Sequence, residues 1–205
     1  MAKRINSIEN QSELPKISVE VPKIIKAEIV VTLIGDSPLI CHNWSERSKR
    51  AMLDKHMKKA RTGKLAKDPE QDFKDCLYNH PEGGYGFPSI AFKKSAVDAA
   101  TFIEGAKKTE MRGAFHIEDE YVKLEGTPNI REDMTRVGNG VADIRHRAEF
   151  KLWKVKLHIV YNKTTISAEQ IVNLFNNAGF SIGIGDWRPQ KNGPYGRFHV
   201  KLTSD

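Results

Sequence analysis

The chain has 205 residues, 39% of them hydrophobic and 29% charged, a composition that can bury a core. No stretch approaches the roughly 18 consecutive apolar residues of a membrane span, and the polar N-terminus lacks a signal-peptide core, so a soluble, cytoplasmic chain with no membrane partner is expected. The formal net charge is +7. Between Arg47 and Lys67 stand nine basic residues (Arg47, Lys49, Arg50, Lys55, Lys58, Lys59, Arg61, Lys64, Lys67) against the single acid Asp54. That segment carries the whole excess, as an electrostatic footprint for phosphate backbones would. Two cysteines, Cys41 and Cys76, without a CxxC pair, point to neither a disulfide framework nor a structural zinc site, and no metal or cofactor is expected.

Residues 1–23 are polar, with Pro15, Pro22 and the alternation Ile17, Val19, Val21, the pattern of an extended N-terminal arm that adds to a neighbouring sheet or frays. Residues 24–205 then form one domain with insertions at about 43–80 and 126–147. The β-branched run 24–34 ends at Gly35, Asp36, Ser37 and Pro38 and reads as a largely buried central strand. A helix follows over 43–61 with Ser45 as N-cap, but Met52, Leu53, His56 and Met57 give it only a thin apolar stripe. Residues 61–72 have little to bury and read as a connector, with a short helical turn after them. Phe92, Ala96, Ala99, Ala100 and Ile103 recur at helical spacing behind Ser89, a helix set down as an elaboration of the fold.

Residues 114–124 suit one or two short strands. The excursion 126–147 contains an Asn-Gly hairpin signal at Asn139 and Gly140, flanked by Arg131, Arg136, Arg145 and Arg147. Along 146–161 the apolar alternation changes phase, from Ala148, Phe150 and Leu152 to Trp153, Val155, Leu157, Ile159 and Tyr161, which implies a bulge. Lys154, Lys156 and His158 then share the wetter face as a second basic strip. Ser167 and Gln170 form a capping box ahead of a helix over 168–178 that Gly179 stops, and 196–202 is the last strand. The order can be drawn as an α+β, ferredoxin-like or RNA-recognition-motif-like (RRM-like) plan: an antiparallel sheet with helices on one face, an inserted basic helical segment and a β-hairpin thumb.

The most specific segment joins the capped helix to the last strand and holds Gly183, Gly185, Trp187, Arg188, Lys191, Gly193, Tyr195, Gly196 and Arg197. Glycines allow close backbone approach and amide nests for anions, arginines offer forked donors, and Trp187 or Tyr195 can stack on a base. A long turn whose aromatics plug the sheet end is the structural alternative. The segment is no dinucleotide fingerprint, because it follows a helix and enters a strand, and it lacks the ending of a P-loop.

The order of these features, from about residue 27 to 202, resembles the RAMP superfamily, whose members form backbone subunits of CRISPR effector complexes. The glycine-rich loop is similar to the C-terminal loop of that group, and 87–100 is similar to its segment leading into a helix, although Phe87, Pro88, Ser89 and Ile90 stand where the family is richer in glycine. The resemblance implies a modified RNA-recognition-motif fold, a thumb at 129–147, and head-to-tail homo-oligomers along single-stranded RNA or DNA, in a CRISPR-like or viral setting with possible further subunits of a nucleoprotein complex. It implies strand contacts from Lys93, Lys94, Arg188 and Arg197 with the basic segment. The full expected binding set is Lys49, Arg50, Lys58, Lys59, Arg61, Lys93, Lys94, Arg136, Arg145, Arg147 and the loop residues named above.

Catalytic patterns are sparse. His116, Glu118 and Asp119 do not share one strand face, so they form no site by proximity. His42, near Cys41 and Ser45, is the weak candidate for an endoribonuclease of the same superfamily, and a protein-interaction module of a defence or replication complex is a third reading. A non-catalytic single-strand binder is the leading expectation.

Overall fold

The computed structural model describes residues 23–59, 67–137 and 140–201, so the expected arm at 1–23 but for its last residue, Arg61 and positions 138 and 139 of the expected hairpin signal lie outside the described residues. In chain order the elements are β1 (Lys26–Gly35), β2 (Leu39–Cys41), α1 (Glu46–His56), α2 (Pro69–Cys76), β3 (Gly86–Pro88), α3 (Ser89–Ala99), α4 (Lys108–Ala114), β4 (Phe115–Ile117), β5 (Tyr121–Val137), β6 (Val141–Asn162), α5 (Ala168–Asn177) and β7 (Phe198–Val200). The strands make one antiparallel sheet in the order β3-β5-β6-β1-β7, with β2 and β4 also paired to β6. Without the short pieces, β7-β1-β6-β5 is the fourth-first-third-second order of a βαββαβ ferredoxin-like plan. The fold is thus the expected α+β class.

The two helices of that plan are α3 and α5. Helix α3 buries Phe92, Ala96, Val97 and Ala99, and α5 buries Ile171, Leu174 and Phe175, whereas no residue of α1 is buried. This corrects the reading of 89–103 as an elaboration. Small and aromatic residues at helical spacing let α3 lie close on the sheet, while the stripe of α1 is too thin to hold it there. Helix α1 does start at Ser45, whose side chain accepts from the Ser48 amide at 3.2 Å. The capping box of α5 is present, but Gly179 does not stop the helix. The chain continues as a π-turn to Ile182 and turns at Gly183, with φ of 67°. Gly179 serves packing instead, because a Cβ there would stand 1.7 Å from the Phe198 carbonyl oxygen.

Strand β1 is central but buried on one face only. Val31 and Leu33 point into the core, while Glu28 and Val30 are exposed. The run of branched residues hid this because Val30 and Ile34 are as apolar as their inward neighbours. The phase change in β6 is real: Ala148 and Phe150, then Trp153, Val155, Leu157 and Ile159, are the buried positions. Pairing with β5 shifts between Gly126 and Pro128, so Thr127 faces both Lys151 and Leu152. Gly126 is required there. Its φ is 148°, and a Cβ would come within 2.5 Å of the Leu152 carbonyl oxygen. Beyond the bulge β5 and β6 run on as the thumb, paired to Val137 and Val141.

Replacing Phe92 by alanine should cost about 3–5 kcal/mol of stability, the usual range for emptying a buried aromatic site. Leu53→Ala on α1 should stay within about 0.5 kcal/mol. Urea unfolding of both variants measures this, and a larger loss for Leu53→Ala than for Phe92→Ala would mean that α1, not α3, belongs to the core.

Candidate nucleic-acid interface

The loop after α5 is built by close backbone contacts. Gly185 (φ 74°) and Gly196 (φ 66°) have left-handed backbones, and a Cβ on Gly193 or Gly196 would stand 1.8 Å from the carbonyl oxygens of Trp187 and Ile184 respectively. Most amides in the loop are already used. Ile184 donates to Gly196, Asp186 to Ile40, Gly193 to Arg188, Tyr195 to Trp187, and Gly196 to Pro38. The glycines therefore fix the path of the loop against β2 and the turn before it, rather than forming an open anion nest.

This packing puts Asp186 at the centre of a polar junction. Its Oδ2 meets His42 Nδ1 at 3.1 Å and Arg147 Nε at 3.2 Å. Burial raises the Asp186 carboxyl, but the His42 hydrogen bond and the charges of His42, Arg147 and Arg188 outweigh it and hold the group below the usual carboxylate range. Arg147 also reaches Asp133 at 3.3 Å. Arg131 donates to Asp133 at 2.8 Å, to Glu149 at 2.7 Å and to the Tyr195 hydroxyl at 3.0 Å, and its guanidinium lies 4.6 Å from the Tyr195 ring centroid. Burial opposes the Arg131 charge, yet these partners keep it firmly protonated. The thumb root is thereby bolted to the loop, and Tyr195 is half-buried beneath Arg131 instead of free to stack.

Arg188 is anchored on the other side of the loop. It donates to the Gly185 carbonyl at 3.0 Å and to the Gln190 side chain at 3.1 and 3.2 Å. Gln190 in turn donates to Asp98 of α3 at 3.0 Å. Asp98 also pairs with Lys108 at 3.2 Å and Lys94 at 3.5 Å. Although burial raises it, those donors leave the Asp98 carboxyl below its ordinary value. Arg197 spends its Nε on the Pro194 carbonyl at 3.3 Å. Lys191 and Trp187 are exposed.

The basic helix starts beside this junction. His42, Ser45, Arg47, Arg145, His146 and Arg147 share a small cavity of about 150 Å³, with Asp72 and Asp75 also in its wall. Arg47 pairs with Asp72 and with Asp75, the latter at 2.9 Å, which ties α1 to α2. Further along, Lys49 pairs with Glu46 at 2.6 Å and Lys59 with Asp54 at 2.8 Å, and Arg50 and Lys58 are exposed. In the thumb, Arg145 pairs with Asp143 at 2.7 Å and Arg136 is exposed. Lys93 is placed apart from the rest. It turns inward, donating to the Phe115 carbonyl and lying 4.4 Å from the Phe115 ring centroid, and burial lowers its pKa.

The expected second basic strip is not a basic surface. Lys154 pairs with Glu125 at 2.9 Å, and the concavity of about 710 Å³ on this open face is walled by Glu28, Glu82, Glu118, Asp119 and Glu125 beside Lys123 and Lys156. Neighbouring strands and loops supply the acids that reading β6 alone omits. His116 is exposed on β4, and no cluster of three metal-ligating side chains occurs among the described residues. Both cysteines are buried, and burial raises their thiol pKa values, so neither is poised as a nucleophile.

Arg131, Asp133, Glu149 and Asp186 are parts of the junction that the binding set omits. One signal was available: a hairpin turning at Asn139 sets Arg131 opposite Arg147, and two arginines so placed need acids on the same face, which Asp133 and Glu149 supply.

The fold and site together define an α+β protein in which a glycine-rich loop, a thumb root and a basic helix meet. No family model and no curated protein matches the chain. Among solved structures it is similar to the crystal structure of Cmr6 from Pyrococcus furiosus, with 10% identity and a TM-score of 0.43, covering 87% of this chain and 100% of the other. No helix among the described residues is long and apolar enough to cross a membrane.

A carboxylate whose pKa is lowered by folding adds stability above its unfolded value, and loses it as the pH falls through the folded one. The contribution of Asp186 is therefore present above about pH 4 and disappears below it. Asp186→Asn should lower the Tm at pH 7 and flatten its fall between about pH 4 and 3. Thermal melts across that range test this, and an unchanged acid limb would remove Asp186 from the centre of the junction.

Proposed function

We propose that this protein binds single-stranded nucleic acid, RNA or DNA, through the surface where the glycine-rich loop, the thumb root and the start of the basic helix meet. The observation that carries the reading is the convergence on Asp186 and the adjoining cavity of cationic groups from three separate elements: Arg188 from the loop, Arg145 and Arg147 from β6, and Arg47 from α1. Structural ion pairs hold several of them in place, and Lys191, Arg136, Arg50 and Lys58 stand exposed to meet phosphates. Pre-set charges of this kind favour a polyanion without reading sequence.

The reading extends to head-to-tail copies along the strand and to membership of a multi-subunit nucleoprotein complex. Its support is apolar surface away from the charged junction. Met134 and Ile144 form an exposed cross-strand pair with Ile130 on the same thumb face, and Leu152 and Val30 are exposed on the sheet. Phosphate neutralisation makes affinity fall steeply with salt, with a log-log slope of about 0.7 per contact for a single strand. Arg188→Ala with Arg197→Ala should weaken binding by more than about tenfold at low salt and reduce that slope by one or more, with the fold retained by circular dichroism. Fluorescence anisotropy over a salt series decides it, and equal affinity at low and high salt would defeat the electrostatic account.

A second reading, endoribonuclease activity, has one specific observation behind it. His42 and His146 share the small cavity, and each is held by a carboxylate: His42 Nδ1 on Asp186 at 3.1 Å and His146 Nε2 on Glu132 at 3.3 Å. Imidazoles oriented in this way are the groups that general acid–base cleavage uses. Labelled RNA incubated with the protein and with His42→Ala separates the readings. Intact RNA with both supports the binder, and cleavage lost in the variant establishes the nuclease.

A further inference from the structure

One residue of the loop departs from what its neighbours need. Trp187 has φ of 56°, in the left-handed region, which a bulky side chain adopts only at a cost in conformational energy. It obtains little burial in return, since 47% of the residue is exposed. Exposed tryptophan in a strained backbone is poor design for stability alone. Glycine or asparagine would hold the same turn more easily.

The strain is imposed from both sides. On one side Asp186 is held by its amide on Ile40 and its carboxylate on His42 and Arg147. On the other, Arg188 is held by Gly185 and Gln190. The Trp187 carbonyl accepts from the Tyr195 amide at 3.1 Å, and Gly193 passes so close that a Cβ there would strike that carbonyl. The backbone beneath the indole is therefore held on both sides, and the indole stands exposed on it.

We infer that Trp187 is a stacking platform for one unpaired nucleobase, a reading that rests on the single-strand function proposed above. The chemistry of the surroundings selects a base over an apolar protein partner. Within 183–197 the large aliphatic residue, Ile184, is buried, and the exposed Phe180 precedes Gly183 on the π-turn. The sequence neighbours of Trp187, Asp186 and Arg188, are charged, and Lys191 is exposed nearby in the chain. An exposed aromatic face with Arg188 and Lys191 close in the chain suits a base whose phosphates those cations hold, whereas a protein contact wants contiguous apolar area. A platform of this type accepts any base, because every base offers a π-face, but excludes a base already stacked and paired in duplex.

Three variants and two polymers test the inference. Oligonucleotides of equal length, one ordinary and one abasic, present the same phosphates with and without bases. Trp187→Asn and Trp187→Ala should lose about tenfold in affinity for the ordinary strand and nothing for the abasic one. Trp187→Tyr should stay within about threefold on both, and Trp187→Asn should keep or raise the Tm because asparagine tolerates the left-handed backbone. Equal losses on both polymers, no loss on either, or a fall of several degrees in the Tm of the asparagine variant would overturn the platform. An unaltered protein that binds neither polymer would instead overturn the single-strand function itself.

Discussion

The structure depends on the strand β6 and its one-residue slip. β6 pairs with β1 and β2 along one edge and with β4 and β5 along the other, so nearly every part of the sheet takes its register from this strand. Its inner half sends Val155, Leu157 and Ile159 to the helices. Because a strand's side chains alternate, one extra residue opposite Thr127 exchanges the faces, and the outer half can bury Ala148 and Phe150 while Arg147 and Glu149 turn to the other side. Gly126 makes the slip possible. The core and the charged thumb root are thus two consequences of one strand with one irregularity.

The same geometry decides what the basic residues do. Arg131 and Arg147 face each other across the hairpin, a repulsive arrangement in isolation. Asp133 lies between them, Glu149 takes Arg131, and Asp186 arrives from the loop to take Arg147. These pairs are largely shielded from water, where losing one partner costs far more than at the surface. They hold the loop to the thumb, and the loop in turn fixes Arg188 and Trp187. Net charge alone made the arginines equivalent, but their neighbours divide them into those that build the surface and those left to use it.

Parts of the fold were legible because the signal was local. The helix after Ser167, the start of α1 at Ser45 and the bulge in β6 each follow from residues within a few positions of one another. Burial overturns the reading of α3 as an elaboration and agrees with the thin apolar stripe of α1. Phe92, Ala96 and Ala99 already formed the better core stripe, and Met52, Leu53 and Met57 remain exposed. The basic strip along β6 failed for another reason: Glu125 and Glu28 lie on other strands and become neighbours only through pairing.

By itself the sequence determined the α+β class, the capped helices, the hairpin and the location of the glycine-rich loop, since periodicity, capping and turn chemistry act over short spans. It also placed the excess positive charge in one segment. Only tertiary structure decided that α3 supports the sheet, that the glycines serve close packing, that Lys93 and Tyr195 are tied down while Trp187 is held out, and that Asp186 joins the loop, His42 and the thumb. Those outcomes depend on which distant side chains share a face or a buried space. Strand register and the packing of the loop against β2 set that, and neither is written in any one stretch of the chain.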